Sequence, residues 1–158
     1  MRVYADTSFL VKLLTQETGT PKAVAEYRRL GRPPVFFLPL HELEVRNAIR
    51  QRVFHQRRTL PSSERSSIKR ERDTAFALLQ KYIARKAFIE TSQDLEVATE
   101  LAQHLSEKYT ERIGCRGFDI LHVALALELE CEAFLTCDKT QGDLADAEGL
   151  DVILSEDQ

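Results

Sequence analysis

The sequence predicts an α/β sandwich built on a largely parallel sheet. Two observations carry this expectation: short β-rich runs alternate with longer stretches of helical spacing, and the connections between successive runs are long enough to hold a helix. A third concerns function. Acidic residues stand directly after two of the runs, at the edge where sheets of this kind gather their ligands.

The elements follow in order. "RVYA" is a short apolar run that ends at Asp6, and "TSFLVKLL" then changes to helical spacing, so strand passes into helix. "TGTPKAVAEYRRLG" offers Thr20 as N-cap, Pro21 at the first helical position and Gly31 as the stop of a second helix. "PPVFFL" is a β-rich run after two prolines. Pro39 and the periodic "LHELEVRNAIRQRVF" begin a third helix, with Pro61 at or beyond its end. From Ser62 to about Ala84, the spacing of Ile68, Ala75, Phe76, Leu79 and Ile83 predicts an amphipathic helix with highly charged first turns. "AFIE" is a brief strand, and "SQDLEVATELAQHLSEKY" a helix capped by Ser92 or Asp94. "TERIGCRG" is a loop leading to Asp119, which heads the apolar helix "DILHVALALEL". "EAFLTCD" is a strand, "GDLADAEG" a short helix and "LDVIL" a final strand.

At 158 residues and 43% hydrophobic content the chain fits one domain spanning residues 1–158, without repeats or linkers. No apolar run approaches the roughly 20 residues of a membrane span, and Asp6 and Lys12 interrupt the N-terminal segment where a signal peptide is continuous, so a cytoplasmic location is expected. Cys115, Cys131 and Cys137 are odd in number and form no C-x-x-C pair. They read as reduced, half-buried small residues rather than disulfide or zinc ligands.

The net charge of −3 excludes a uniformly cationic nucleic-acid binder. Its distribution is uneven. From Arg46 to Arg72 the chain carries +7, which leaves −10 elsewhere. The basic stretch is either an ordinary solvated hairpin or a phosphate-facing surface, and Arg46, Arg50, Arg116 and Lys139 are the candidates for phosphate contact.

Four acids stand out. Asp6 and Asp138 each directly follow a strand, on the same edge of a parallel sheet, although either alone reads as an N-cap. Glu44 shares a helical stripe with Leu40 and Ala48 at the core margin, where an acid needs an ion-pair partner such as Arg46, or a metal. Asp119 heads an almost wholly apolar helix, where a cap is the plain reading. If the four converge, their repulsion calls for a divalent cation, and hard oxygen ligands without a Cys or His cluster suit Mg²⁺ or Mn²⁺. Such a site does phosphoryl chemistry. Thr7, Ser8 and Thr136 are placed to orient water or a ligand, with Asp143 as a peripheral acid. His122, one turn after Asp119, reads as a core histidine rather than a general base.

"YADTSFLVKLL" with Asp6, "LHELEVRNAI" with Glu44, "RGFDILHVALAL" with Asp119 and "FLTCDKTQGDLA" with Asp138 together resemble the PIN-domain family, and more narrowly the VapC toxins of bacterial and archaeal toxin–antitoxin pairs. The resemblance extends over nearly the full length, in the family's order and spacing. It implies a three-layer sandwich with a five-stranded, mostly parallel sheet, Mg²⁺-dependent endoribonuclease activity, inhibition by a small cognate antitoxin, and a homodimer. It also assigns Asp6, Glu44, Asp119 and Asp138 to the metal site. Asp143 departs from the family's pattern, which tends to a basic or uncharged residue there.

Two other readings compete. A haloacid-dehalogenase-type phosphatase needs a second Asp two residues after the first, where this chain has Ser8. A non-catalytic PIN-like module that binds RNA or protein typically loses some of the acids, whereas all four positions are filled here.

Overall fold

The computed structural model describes residues 1–155. The elements run β1 (Val3–Ala5), α1 (Thr7–Leu14), α2 (Thr20–Arg29), β2 (Val35–Phe37), α3 (Pro39–Thr59), α4 (Arg65–Ala84), β3 (Phe88–Glu90), α5 (Leu95–Ile113), α6 (Gly117–Glu128), β4 (Ala133–Thr136), α7 (Lys139–Ala147) and β5 (Asp151–Leu154). A single 3₁₀ turn at Ser62–Glu64 precedes α4.

All pairings in the five-stranded sheet are parallel, in the order β3-β2-β1-β4-β5. Val3 lies opposite Val35 on one side and Ala133 on the other, so β1 is central and the chain reverses its direction of travel between β1 and β4. Because successive strand residues face opposite sides, Val3, Ala5, Ala133 and Leu135 join one core with α1, α2, α3 and α4. Tyr4 and Phe134 point the other way and join the second core with α5, α6 and α7. Both faces of the sheet are therefore covered, which gives the expected three layers and explains why its strands read as unbroken apolar runs.

Element bounds differ from the sequence reading in four places. Gly19, with φ of +83°, caps α2, while Thr20 stands inside the helix and its hydroxyl donates to the Thr15 carbonyl at 3.0 Å. Ser62, Ser63 and Glu64, at the predicted start of the fourth helix, form the 3₁₀ turn instead of regular helix. Helix α5 continues through Ile113, since nothing in "TERI" breaks a helix, and stops at Gly114, whose φ of +82° any other residue adopts at a cost. The predicted loop thus shrinks to three residues, 114–116. Helix α7 starts at Lys139, three residues early, because the Asp138 side chain caps it through the Gln141 N–H at 3.1 Å. Gly142 then faces the sheet so closely that a Cβ there lies 3.2 Å from Val152, which seats α7 tightly on β4 and β5. Cys115 and Cys131 are buried and Cys137 is half-buried.

Candidate active site at the carboxyl edge of the sheet

The reversal between β1 and β4 opens a crevice beyond their carboxyl ends, and each side chain in it is placed by a local rule. Asp6 ends β1 and caps α1: Oδ1 accepts the Phe9 N–H at 2.8 Å. Its carboxylate also accepts the Ser8 hydroxyl at 2.8 Å and the Thr136 hydroxyl at 2.7 Å. Ser8 in turn accepts the Cys137 N–H at 3.1 Å, and Thr136 the Asp138 N–H at 2.9 Å. These bonds tie the turn after β1 to the turn after β4. Asp6 is only 3% exposed. Burial pushes its carboxyl pKa up, and the Phe9, Thr136 and Ser8 bonds together with His122 only partly oppose that.

Asp138 ends the β4 side and caps α7. Asp119 is the third residue of α6 and closes its first turn, accepting from the Arg116 N–H at 3.4 Å and the Arg116 Nε at 3.0 Å. The cap reading of Asp119 thus holds alongside its position in the crevice. The Arg116 guanidinium also lies 3.5 Å from Asp138, so one arginine spans two of the acids. Gln141 donates to the Asp119 carbonyl at 3.0 Å and fixes α7 against α6.

Glu44 reaches the crevice from the opposite layer, on α3. Its predicted arginine partner is overturned: Arg46 pairs with Glu42 at 3.0 Å. The reason is rotation, because Arg46 is only two residues from Glu44 and faces elsewhere on the helix. Glu44 Oε2 instead accepts the Thr7 hydroxyl at 2.7 Å and faces His122 Nε2 at 2.7 Å. Burial raises the Glu44 pKa, but the bond to His122, the His122 charge and the Thr7 bond outweigh it and hold the carboxyl below its usual range.

Asp6, Glu44, Asp119 and Asp138 line one cavity of about 190 Å³ together with Thr7, Ser8, Arg116, Phe118, His122 and Gln141. Thr136 lies beneath it, fully buried. Asp143 is outside the lining, on the exposed side of α7, where Lys139 Nζ holds it at 2.7 Å. Lys139 is likewise outside. Arg46 and Arg50 stack on Phe76, at 5.3 and 5.2 Å from its ring centre, away from the cavity. Of the four basic candidates only Arg116 is at the acids.

Three lining residues escaped sequence reasoning. Phe118 is 62% exposed at the cavity mouth and Gln141 is buried at its wall, and neither carries a distinguishing pattern. His122 carried one: three residues after Asp119, it faces the same side of α6. It does bond within the core, to Tyr4, as expected, yet its other nitrogen is at Glu44.

Chemically, the cavity offers hard carboxylate oxygens, which suit a divalent cation such as Mg²⁺ and not zinc. Among the described residues no three acidic, His or Cys side chains are drawn close enough to enclose an ion. Arg116 occupies Asp119 and Asp138 instead, but its side chain is 79% exposed and such a pair is held weakly. Without the guanidinium, Asp119 Oδ2 would keep only the long 3.4 Å bond from the Arg116 N–H, and Asp138 Oδ2 would lose its ion-pair partner.

A family model described as the PIN domain matches residues 3–147. A comparison with curated proteins finds no match.

Proposed function

The chain belongs to the PIN domain family, and on that premise we propose that it is a Mg²⁺- or Mn²⁺-dependent endoribonuclease, the VapC-type toxin of a toxin–antitoxin pair. PIN domains are typically nucleases and generally use divalent metal ions. The observation that carries the proposal is the gathering of Asp6, Glu44, Asp119 and Asp138 around one cavity from four separate elements. Parallel strands bring the caps Asp6 and Asp138 to one edge of the sheet, but nothing in capping requires Glu44 of α3 and Asp119 of α6 to join them there.

In this reading the four carboxylates would hold the cation, which would supply Lewis-acid chemistry for phosphodiester hydrolysis. The protein residues do the rest. Ser8 and Thr136 fix the buried Asp6 carboxylate, and Thr7 fixes that of Glu44. Arg116, at the mouth, would exchange its two carboxylates for an RNA phosphate. Phe118 presents an exposed ring on which an unpaired base stacks.

The partners follow the same reading. Helices α1, α3 and α4 enclose a groove of about 350 Å³, with Leu14, Ile49, Val53, Ile68 and Leu78 in its wall and Arg52, Arg70 and Arg72 among its residues. Its chemistry suits an amphipathic helix of an antitoxin with acidic flanks. The antitoxin then sets a basic side chain among the acids, in the place Arg116 holds here. The protein is taken as a single cytoplasmic domain, residues 1–158, acting as a homodimer. No helix among the described residues is long and apolar enough to cross a membrane.

Two experiments test this. RNA cleavage by the purified protein is expected to need Mg²⁺ or Mn²⁺, to stop with chelator and to be lost in Asp119→Asn; RNA binding without cation binding or cleavage identifies a non-catalytic module instead. Co-expression with the small neighbouring reading frame, followed by pull-down and nuclease assay, tests the toxin role. A neighbour that fails to bind, or a complex that cleaves as fast as the free protein, removes the toxin assignment and leaves the nuclease.

A further inference from the structure

Behind Glu44 runs a buried chain of hydrogen bonds that the chemistry above does not use. The Tyr4 hydroxyl lies 2.8 Å from His122 Nδ1, and His122 Nε2 lies 2.7 Å from Glu44 Oε2. Tyr4 is fully buried and His122 is 3% exposed. The His41 ring stacks on His122 with centroids 5.2 Å apart and planes 20° apart, and packs against Tyr4 at 4.9 Å. This holds the imidazole in its plane.

We propose that His122, oriented by Tyr4, is a positioning residue that clamps one oxygen of Glu44 and so turns the other toward the acid cavity. The inference rests on the nuclease reading of that cavity.

The direction of the chain follows from the groups themselves. An ionised Glu44 only accepts, so the His122 nitrogen facing it carries a hydrogen. In the neutral ring the other nitrogen, Nδ1, is then an acceptor, and Tyr4 is the donor to it. Thr7 donates to the same oxygen, Oε2, from the other side. Among the described residues no hydrogen-bond donor reaches Oε1. Two donors on one oxygen restrict a long, half-exposed side chain to a single orientation, with Oε1 left for a ligand. Histidine is the residue that offers a rigid acceptor and a rigid donor on opposite sides of one ring, and ligands of metal ions are commonly oriented by such partners. His41 plays no equivalent part: its Nδ1 accepts the Leu38 N–H at 3.1 Å at the start of α3.

The test separates orientation from packing. The double variant Tyr4→Phe/His122→Leu removes both polar partners together, so no buried hydroxyl or ring nitrogen is stranded and the core stays apolar. Alongside it stand His122→Gln, which keeps a donor near Nε2, and Tyr4→Phe alone. Mn²⁺ affinity by calorimetry, melting temperature, and the imidazole ¹⁵N shifts of metal-free protein are measured. Wild type is expected to show a hydrogen on His122 Nε2, and Tyr4→Phe the same hydrogen with a shifted Nδ1 signal, because Nδ1 loses its hydrogen-bond partner while Glu44 still faces Nε2. The double variant is expected to melt near wild type yet bind Mn²⁺ about 10–100-fold more weakly, the usual effect of losing an outer partner of a metal ligand. His122→Gln is expected to recover most of that loss. Mn²⁺ affinity in the double variant equal to wild type, or a His122 without a hydrogen on Nε2, overturns the proposal. A wild type that binds no Mn²⁺ and cleaves no RNA overturns the nuclease reading beneath it, so the two failures are distinct.

Discussion

The two ends of α3 are opposite both in charge and in how the charge is held. Near its start, Glu44 is gripped by Thr7 and His122 beside three more acids, each fastened by a cap, a hydroxyl or Arg116. Near its end, Arg50, Arg57 and Arg58 are exposed and have no carboxylate partner among the described residues. Arg58 merely lies over the exposed Phe54 ring, at 5.3 Å. The difference teaches what each charge is for. Groups that must meet a ligand at a defined distance are built onto strand ends and buried helix starts, where packing restricts them. In the proposed nuclease, exposed arginines on a helical rod would supply only a field toward the RNA polyanion and need no such restriction.

The largest expected effect breaks the ordered end. Asp6→Asn should lower metal-dependent cleavage at least about 100-fold, since losing even an outer partner of a metal ligand reaches that size. The same variant should melt higher than metal-free wild type. Asparagine keeps the cap on Phe9, while the Ser8 and Thr136 hydroxyls turn to accept from its amide, and Thr136 has Gln141 Oε1 at 3.3 Å as its next acceptor. The sign of the pH dependence follows. Burial raises the folded pKa of Asp6 above the ordinary 3.8, so its contribution to stability is complete below that value and is lost as pH rises through the folded pKa. The melting advantage of Asp6→Asn should therefore grow with pH upward from about 4, as read by thermal melts across a pH series. An advantage that shrinks with pH contradicts the burial argument.

The opposite end should respond differently. Replacing Arg50, Arg57 and Arg58 together by Ala is expected to weaken RNA binding about 10-fold at moderate salt and to flatten the salt dependence by about one unit of slope per lost phosphate contact. Cleavage of saturating RNA in a single turnover should be unchanged. A slower chemical step at saturation would show that the two ends are not separable.

Arg116 lies between the two regimes, being exposed like the distal arginines but paired with site acids. Its replacement by Ala should raise Mn²⁺ affinity about threefold to tenfold, because one competitor for Asp119 and Asp138 disappears at a cost typical of exposed pairs. Unchanged affinity in calorimetry would mean that Arg116 does not compete with the cation. The smallest effect is expected from changing Cys115, Cys131 and Cys137 together to Ala or Ser. Activity should stay within a few-fold, with a melting loss equivalent to about 1–2 kcal/mol from the two buried sites. Stoichiometric zinc in wild type that is lost from this variant would overturn it.

What the sequence determined by itself was everything set by short-range rules. The order of the strands and helices, and the caps at Asp6, Asp94 and Asp138, depend on periodicity and on neighbours within four residues. The four acids were legible because each stands at such a local boundary or on a recognisable helical stripe. The bounds of α5 and α7 went astray by three or four residues because a breaker and a cap decide them, not the apolar pattern. Only the tertiary structure decided which groups the acids meet. Glu44 finds His122, 78 residues away, and Thr136 finds Asp6 across 130 residues, because β1 pairs with β4 and α3 and α6 come from opposite layers. No local pattern encodes those distances. They are set by the strand order and by how closely the two cores pack against the sheet, which depend on the whole chain at once.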